Sequence, residues 1–404
     1  MRRTHRRAAV NLALFAIALF LILALNYQSS SSKTFAWTTV RYKTSAATLP
    51  KNRGTCPGLN ETSKPALVVS RVAADGNPTW LDHLEAKYHI CTYAVDAPSD
   101  DPTSELRVPA NKGHEAMAYL TFIIDNYNSI PEAGAVFVHG SRFAWHNDSP
   151  DYDNAVLLAD LNVTAALAPV GYHNMRCDWS ASTCPAEAKA QGSLETQMNA
   201  VLEPFNARVV SDAALPKALV HLFGGQGSSE SRHSGEETGR QVVLGRADTI
   251  RSQCCAQFVV ARDNIWRHSR EEYVALRQWL LDDTAESAPP DDRTSGRILS
   301  YVWHILFLPP HTYSPRASDQ GLVGVDLDRL NLMACPSAEE CYCRLYGRCN
   351  VKGCGEGFCQ GQYAVPPEYK LPADWEATHG SIVPVAEQHV LHDSLRRDDG
   401  SLTI

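Results

Sequence analysis

The densest group of reactive side chains lies in HGSRFAWHNDSPDYDN, residues 139–154, directly after the apolar run AVFV. It supplies His139, Arg142, His146, Asp148, Asp151 and Asp153. Carboxylates two apart, as in Asp151-Tyr152-Asp153, can offer hard oxygens to a divalent cation, Mn²⁺ or Mg²⁺, that neutralises a diphosphate. The same spacing recurs at Asp326-Leu327-Asp328, so a solvated turn beside Pro150 competes with the metal reading. His139 and His146 are suited to acid–base work near neutral pH or to orienting phosphate oxygens. The competing reading has His139 satisfying a backbone group at a strand end. Phe143 and Trp145 either stack on a sugar or base or simply pack.

Further candidates lie outside that segment. Glu115 opens a long helix, where the macrodipole favours a carboxylate, and shares the general-base role with Asp148. Arg71 and Asp75, just past the first strand, are placed to meet a nucleotide, with Arg142 as a third nucleotide-binding candidate. The adjacent pair Cys254-Cys255 reads as bridged or inert, not as a nucleophile. No Gly-x-Ser-x-Gly elbow and no His-Glu-x-x-His occurs, which leaves serine hydrolase and zincin chemistry without support. The GGQG at 224–227 is not followed by Lys-Ser or Lys-Thr and reads as loop, not phosphate cradle.

Elements must position these residues. ALVVSRV (Ala66–Val72), HICTYAV (His89–Val95), AVFVHG (Ala135–Gly140) and CCAQFVVAR (Cys254–Arg262) read as buried strands. TWLDHLEAKY and NKGHEAMAYLTFIIDNYNSI carry apolar residues at helical spacing, and SGRILSYVWHILF does the same. Ser269 and Glu272 match a capping box that opens another helix. Strands alternating with helices predict an α/β domain over residues 65–334. Its sheet is expected to be mainly parallel with flanking helices, Rossmann-like or GT-A-like. Ligands then belong beyond the carboxyl ends of the strands. The polar stretches 224–240 and 282–296 read as surface insertions.

Six of the twelve cysteines, Cys335, Cys341, Cys343, Cys349, Cys354 and Cys359, crowd the start of residues 335–375. That segment has too little apolar sequence for a core and reads as a disulfide-stapled C-terminal module, its pairing open. Zinc ligation is the competing reading. Residues 376–404 are polar and aperiodic.

The amino terminus sets the compartment. Arg2, Arg3, Arg6 and Arg7 precede an apolar run from Ala8 to Leu25. This predicts a cytosolic tail (1–7), a transmembrane signal anchor (8–27) and a lumenal stem (28–64). A cleaved signal peptide is the alternative. The sequons at Asn60 and Asn162 agree with a lumenal domain, in Golgi or ER. A third at Asn147 precedes Pro150 and is a poor acceptor. The formal charge is −8. Setting the four arginines aside makes the remainder still more acidic, and such a body lacks the footprint of a nucleic-acid binder.

NKGHEAMAYLTFIIDNY, VFVHGSRFAWHNDSPDYDN, GYHNMRCDW, CCAQFVVAR and SGRILSYVWHILF resemble, in that order, the fungal family catalogued as domain of unknown function 3431, over roughly residues 65–310. That family is similar in two places to GT-A glycosyltransferases: the opening strand with its acidic loop, and CCAQFVVARDNI. The resemblance implies a lumenal transferase that moves a sugar from a nucleotide-sugar donor to a glycan, lipid or secreted metabolite. The first loop departs from the family pattern, reading Arg71-Val72-Ala73-Ala74-Asp75. A non-catalytic lumenal scaffold that binds glycans or proteins is the alternative.

Overall fold

Two apolar runs, ALVVSR and AVFVH, become neighbouring central strands, buried along almost their whole length. Strands that read as continuous apolar runs are those covered on both faces. The structure, a computed structural model, describes residues 3–26, 34–35, 39–51, 53–97, 106–144, 146–149, 152–224, 244–309, 325–349, 351 and 353–359. In chain order the strands are β1 (Thr34–Phe35), β2 (Ala66–Arg71), β3 (His89–Ala94), β4 (Leu106–Arg107), β5 (Ala135–His139), β6 (Tyr172–Asn174), β7 (Phe258–Val260) and β8 (Val325–Asp326). The helices begin with α1 (Arg3–Asn26), α2 (Glu115–Asp125), α3 (Asn154–Asp160), α4 (Val163–Leu167), α5 (Leu194–Leu202) and α6 (Ala207–Leu219). They continue with α7 (Arg262–Ile265), α8 (Arg270–Leu281), α9 (Asp292–Ser300), α10 (Trp303–Phe307), α11 (Leu327–Ala334) and α12 (Ala338–Tyr346).

Six strands form one sheet in the order β4-β3-β2-β5-β7-β6. The pairs β4/β3, β3/β2 and β2/β5 are parallel, whereas β7 runs antiparallel to both β5 and β6. The sheet is therefore mixed, where a mainly parallel one was expected. The cause is the entry of β7 from the end where β5 finishes, which carries Cys254–Gln257 past His139.

Side chains alternate faces along a strand, and the core divides accordingly. Ala66, Val68, Ala135 and Phe137 face a cluster built with α2, α8, α9 and α10. Leu67, Val69, Val136 and Val138 face a second, containing Leu157 and Leu158 of α3 and Tyr342 and Leu345 of α12. Helix α2 is buried from Ala116 to Ile124, as an all-round apolar helix must be. The capping box of α8 is present: Ser269 Oγ accepts from Glu272 N–H and Glu272 Oε2 accepts from Ser269 N–H.

Several local expectations change. TWLDHLEAKY forms a 3₁₀ turn, Pro78–Leu84, capped by Asn77, in place of an α-helix. SGRILSYVWHILF breaks at Tyr301 into α9 and α10. The stretch 282–296 is a joint, not an insertion: Asp282 accepts from Tyr42 Oη (2.8 Å) and Asp291 caps α9. Most of 224–240 lies outside the described residues.

The stem and the C-terminal module are both more integrated than the sequence suggests. Val40, Tyr42 and Leu59 are core residues, and Cys56 is bridged to Cys91 on β3. Of the six C-terminal cysteines, Cys341 pairs with Cys177 and Cys335 with Cys184, both in the main domain. Cys343–Cys349 and Cys354–Cys359 are local. A segment that cannot bury enough apolar surface alone is here stapled onto a larger core. The tail beyond 359 lies outside the described residues. Helix α1, by length and composition, is apolar enough over His5–Leu23 to cross a membrane, and no part of that window is buried.

Candidate functional site

The sheet reverses its winding between β2 and β5: β3 continues on one side and β7 on the other. Such a switch point opens a crevice at the carboxyl ends of the strands. Arg71 ends β2, and His139 ends β5 opposite Ser70. Gly140 follows in a space that admits no side chain, since a Cβ there would lie 2.3 Å from Arg71 Cβ and 2.7 Å from Asp75 Oδ2.

Around that contact the loops are hydrogen-bonded together. Asp75 Oδ2 accepts from Val72 N–H (2.8 Å), and Asp75 Oδ1 accepts from Ser141 Oγ. Asp96, just past β3, receives Ala73 N–H, and Arg71 donates to Gly76 O (2.9 Å). Arg71 and Asp75 thus lie on one rim around Gly140. Ser141 and Asp96 were missed, although their positions just past β5 and β3 are the available signal.

Beside this rim sits an acid–base group. Asp292 of α9 accepts from Gly113 N–H and lies 3.5 Å from His114, which fixes the turn where α2 begins. The first residue of α2, Glu115, places Oε2 3.9 Å from His139 Nδ1. The other ring nitrogen, Nε2, donates to Cys255 O at 2.8 Å. A carbonyl only accepts, so neutral His139 keeps its proton on Nε2 and turns its Nδ1 lone pair toward Glu115. The His146 ring lies on that of His139, centroids 4.5 Å apart. Burial, then the neighbouring His139, Arg176 and His114, hold the His146 imidazole well below its usual titration range. Cys254 and Cys255 are bridged to each other, which agrees with the inert reading of that pair.

Beyond Cys255 lies a buried ionic group that the sequence did not reveal. Arg176, 3% exposed, faces Asp148 Oδ1 at 3.5 Å and Asp178 Oδ1 at 3.6 Å, and its Nη1 approaches Cys255 Sγ at 3.8 Å. Asp148 also accepts from the backbone N–H groups of Cys177 and Asp178. Burial raises the Asp148 carboxyl; Arg176 opposes the shift and Asp178 adds to it. The sequence signal was the MRCDW run, whose cysteine staples this strand end to α12.

Three expected roles look different after these placements. Asp148 is fully buried against Arg176, so it is not presented to a substrate hydroxyl. Asp153 is 1% exposed; it takes a fork from Arg142 Nε and Nη2 (2.8–3.2 Å) and caps α3 through Ala155 N–H. The metal-ligand and nucleotide-binding candidates Asp153 and Arg142 therefore hold each other. Asp151 and Trp145 lie outside the described residues. Asn60 and Asn162 are exposed, while Asn147 is buried and bonded to Asn154.

The family described as Protein of unknown function (DUF3431) matches residues 67–344, more than half of the chain. The chain belongs to this family. The DUF3431 match runs from β2 into α12 and contains every residue of the rim, the acid–base group and the Arg176 group. It takes in Cys335 and Cys341, which staple this end of the matched segment to the main domain. No curated protein and no solved structure gives a significant match to the chain.

Proposed function

We propose that the chain is a lumenal glycosyltransferase of GT-A-like type, moving a sugar from a nucleotide-sugar donor to a glycan, lipid or secreted metabolite. The observation that carries this reading is the pairing of a nucleotide-type rim, Arg71, Asp75, Asp96 and Ser141, with the Glu115–His139 pair at one switch point. Glu115 takes the proton of the acceptor hydroxyl, whose oxygen bonds to the anomeric carbon. The bond from that carbon to the diphosphate breaks, and its electron pair leaves with the nucleoside diphosphate. The Nδ1 lone pair of His139, 3.9 Å from Glu115 Oε2, can take that proton on from Glu115. Arg71 meets the diphosphate charge.

Among the described residues, the carboxylates nearest the expected cation site are already engaged. Asp153 is engaged by Arg142, and Asp148 by Arg176. Mn²⁺ or Mg²⁺ is therefore an arm of the test and supplies no step here. The apolar α1, the disulfides and the exposed Asn60 and Asn162 support a type II membrane protein of the Golgi or ER with its C-terminal domain lumenal.

A specific observation favours a second reading, a glycan- or protein-binding scaffold: both Asp75 oxygens are already taken by Val72 and Ser141. Turnover separates the two. Full-length protein in detergent is incubated with a panel of nucleotide sugars and acceptors, and nucleoside diphosphate release is followed. The enzyme reading expects release that falls at least about 10²-fold in Glu115→Gln, the low end for a lost general base. No release from any donor by a folded wild type supports the scaffold.

A further inference from the structure

Helix α5 is built inside out. Thr196 is its buried residue and Asn199 and Ala200 are half-buried, whereas Met198, Val201 and Leu202 face outward. Phe205, in the turn that leads to α6, extends the patch and is 97% exposed; Val201 and Leu202 are 79% and 75% exposed. Positions 198, 201 and 202 share one stripe of a helix, and no charged residue lies between Thr196 and Leu202. A soluble surface rarely collects large apolar side chains in this way unless something covers them.

The chain itself indicates what covers them. Helix α5 packs along α6, Gln197 donating to Ala213 O at 2.9 Å. α6 runs on into Val220–Gly224, where Leu222 O accepts from Arg41 N–H at 2.6 Å. Arg41 is thus where the chain arriving from α1 joins the α5–α6 hairpin. It stands 15 residues beyond Asn26, the last residue of α1. Among the described residues, the chain from α1 first pairs with the domain at β1, Thr34–Phe35 against Asp326–Val325, eight residues beyond Asn26 and a reach of about 27 Å fully extended. The hairpin with the bare apolar tip is also the hairpin tied to the apolar helix.

We propose that Met198, Val201, Leu202 and Phe205 insert into the interface of the lipid membrane that α1 crosses, so that the domain lies on the bilayer. The proposal rests on α1 being a span. The patch is apolar and directionless and matches the acyl boundary of a bilayer, while the exposed Glu195 and Glu203 at its flanks stay at headgroup level.

The test uses the full chain with a protease site inserted between Ser30 and Ser31, reconstituted in phosphatidylcholine vesicles. Alkaline carbonate is applied first, to uncleaved protein. Retention upholds the premise, and release overturns the proposal through α1 alone. Protease then frees the domain, and its vesicle-bound fraction is measured at low and high salt. The proposal expects wild type to stay with the lipid at both salts, and Val201→Glu/Phe205→Glu to partition at least tenfold more weakly. Phe205→Ser provides a milder variant that keeps the readout should the double variant misfold. A freed wild-type domain that stays in water, as monomer or dimer, overturns the proposal. So does binding that salt removes, or binding that is equal in wild type and both variants.

Discussion

At Gly140 the backbone leaves the central sheet so close to Arg71 and Asp75 that no β-carbon fits. Gly140→Ala should therefore cost about 1–3 kcal/mol through forced displacement of the rim, read as a lower urea midpoint with an unchanged slope. The buried histidines make a pH prediction. Burial lowers His173 to about 4 and His304 to about 3, and holds His146 down as well. A group whose folded pKa is depressed binds protons more readily in the unfolded chain, so stability falls as pH drops below about 6.5. For His173 and His304 the loss between pH 7 and pH 5 is about 2 kcal/mol each. Asp148 has the opposite sign, because its raised carboxyl takes up a proton in the folded state, but it acts nearer the carboxylate range. A melting temperature that falls from pH 7 to pH 5, with a shallower slope in His304→Leu, is the expected outcome.

At the scale of elements, the parallel strands and buried helices were legible because their signals are local. ALVVSR and AVFVH are apolar throughout, α2 repeats at helical spacing, and Ser269 with Glu272 announces α8. The direction of β7 was not legible, since three residues, Phe258–Val260, carry no information about which end of the sheet they enter. Nor was the fate of Asp148 and Asp153. Their partners, Arg176 and Arg142, are chosen by the fold of the loop, and a carboxylate that binds metal looks the same in sequence as one that binds guanidinium. Glu115 and His139 were both visible as residues but not as a pair, because α2 and β5 bring them together from 24 positions apart. The cysteines show the same limit. Cys177–Cys341 closes a loop with a sequence separation of 164, which no local spacing suggests. Cys177→Ser/Cys341→Ser should lose about 2–5 kcal/mol and detach α12 first, seen as rapid amide exchange over residues 338–346. Unchanged exchange there would show that the apolar contacts of Tyr342 and Leu345 suffice without the bridge.

The whole molecule divides its charge between a basic end and an acidic body joined by an apolar helix. If the body is lumenal, exposed sequons carry glycans and the buried one does not. Protein from a eukaryotic host should lose one glycan mass in Asn60→Gln and one in Asn162→Gln, with no modification at Asn147. An unglycosylated chain would contradict the compartment. Binding decides whether the switch point between β2 and β5 receives a nucleotide sugar. Full-length protein is screened for thermal shift against a nucleotide-sugar panel with Mn²⁺, with Mg²⁺ and with chelator, alongside Arg71→Ala. At least one donor should raise the wild-type melting temperature, and Arg71→Ala should abolish the rise. A folded wild type that shifts with no donor under any of the three conditions, or a shift that Arg71→Ala leaves intact, would contradict a nucleotide-sugar site there.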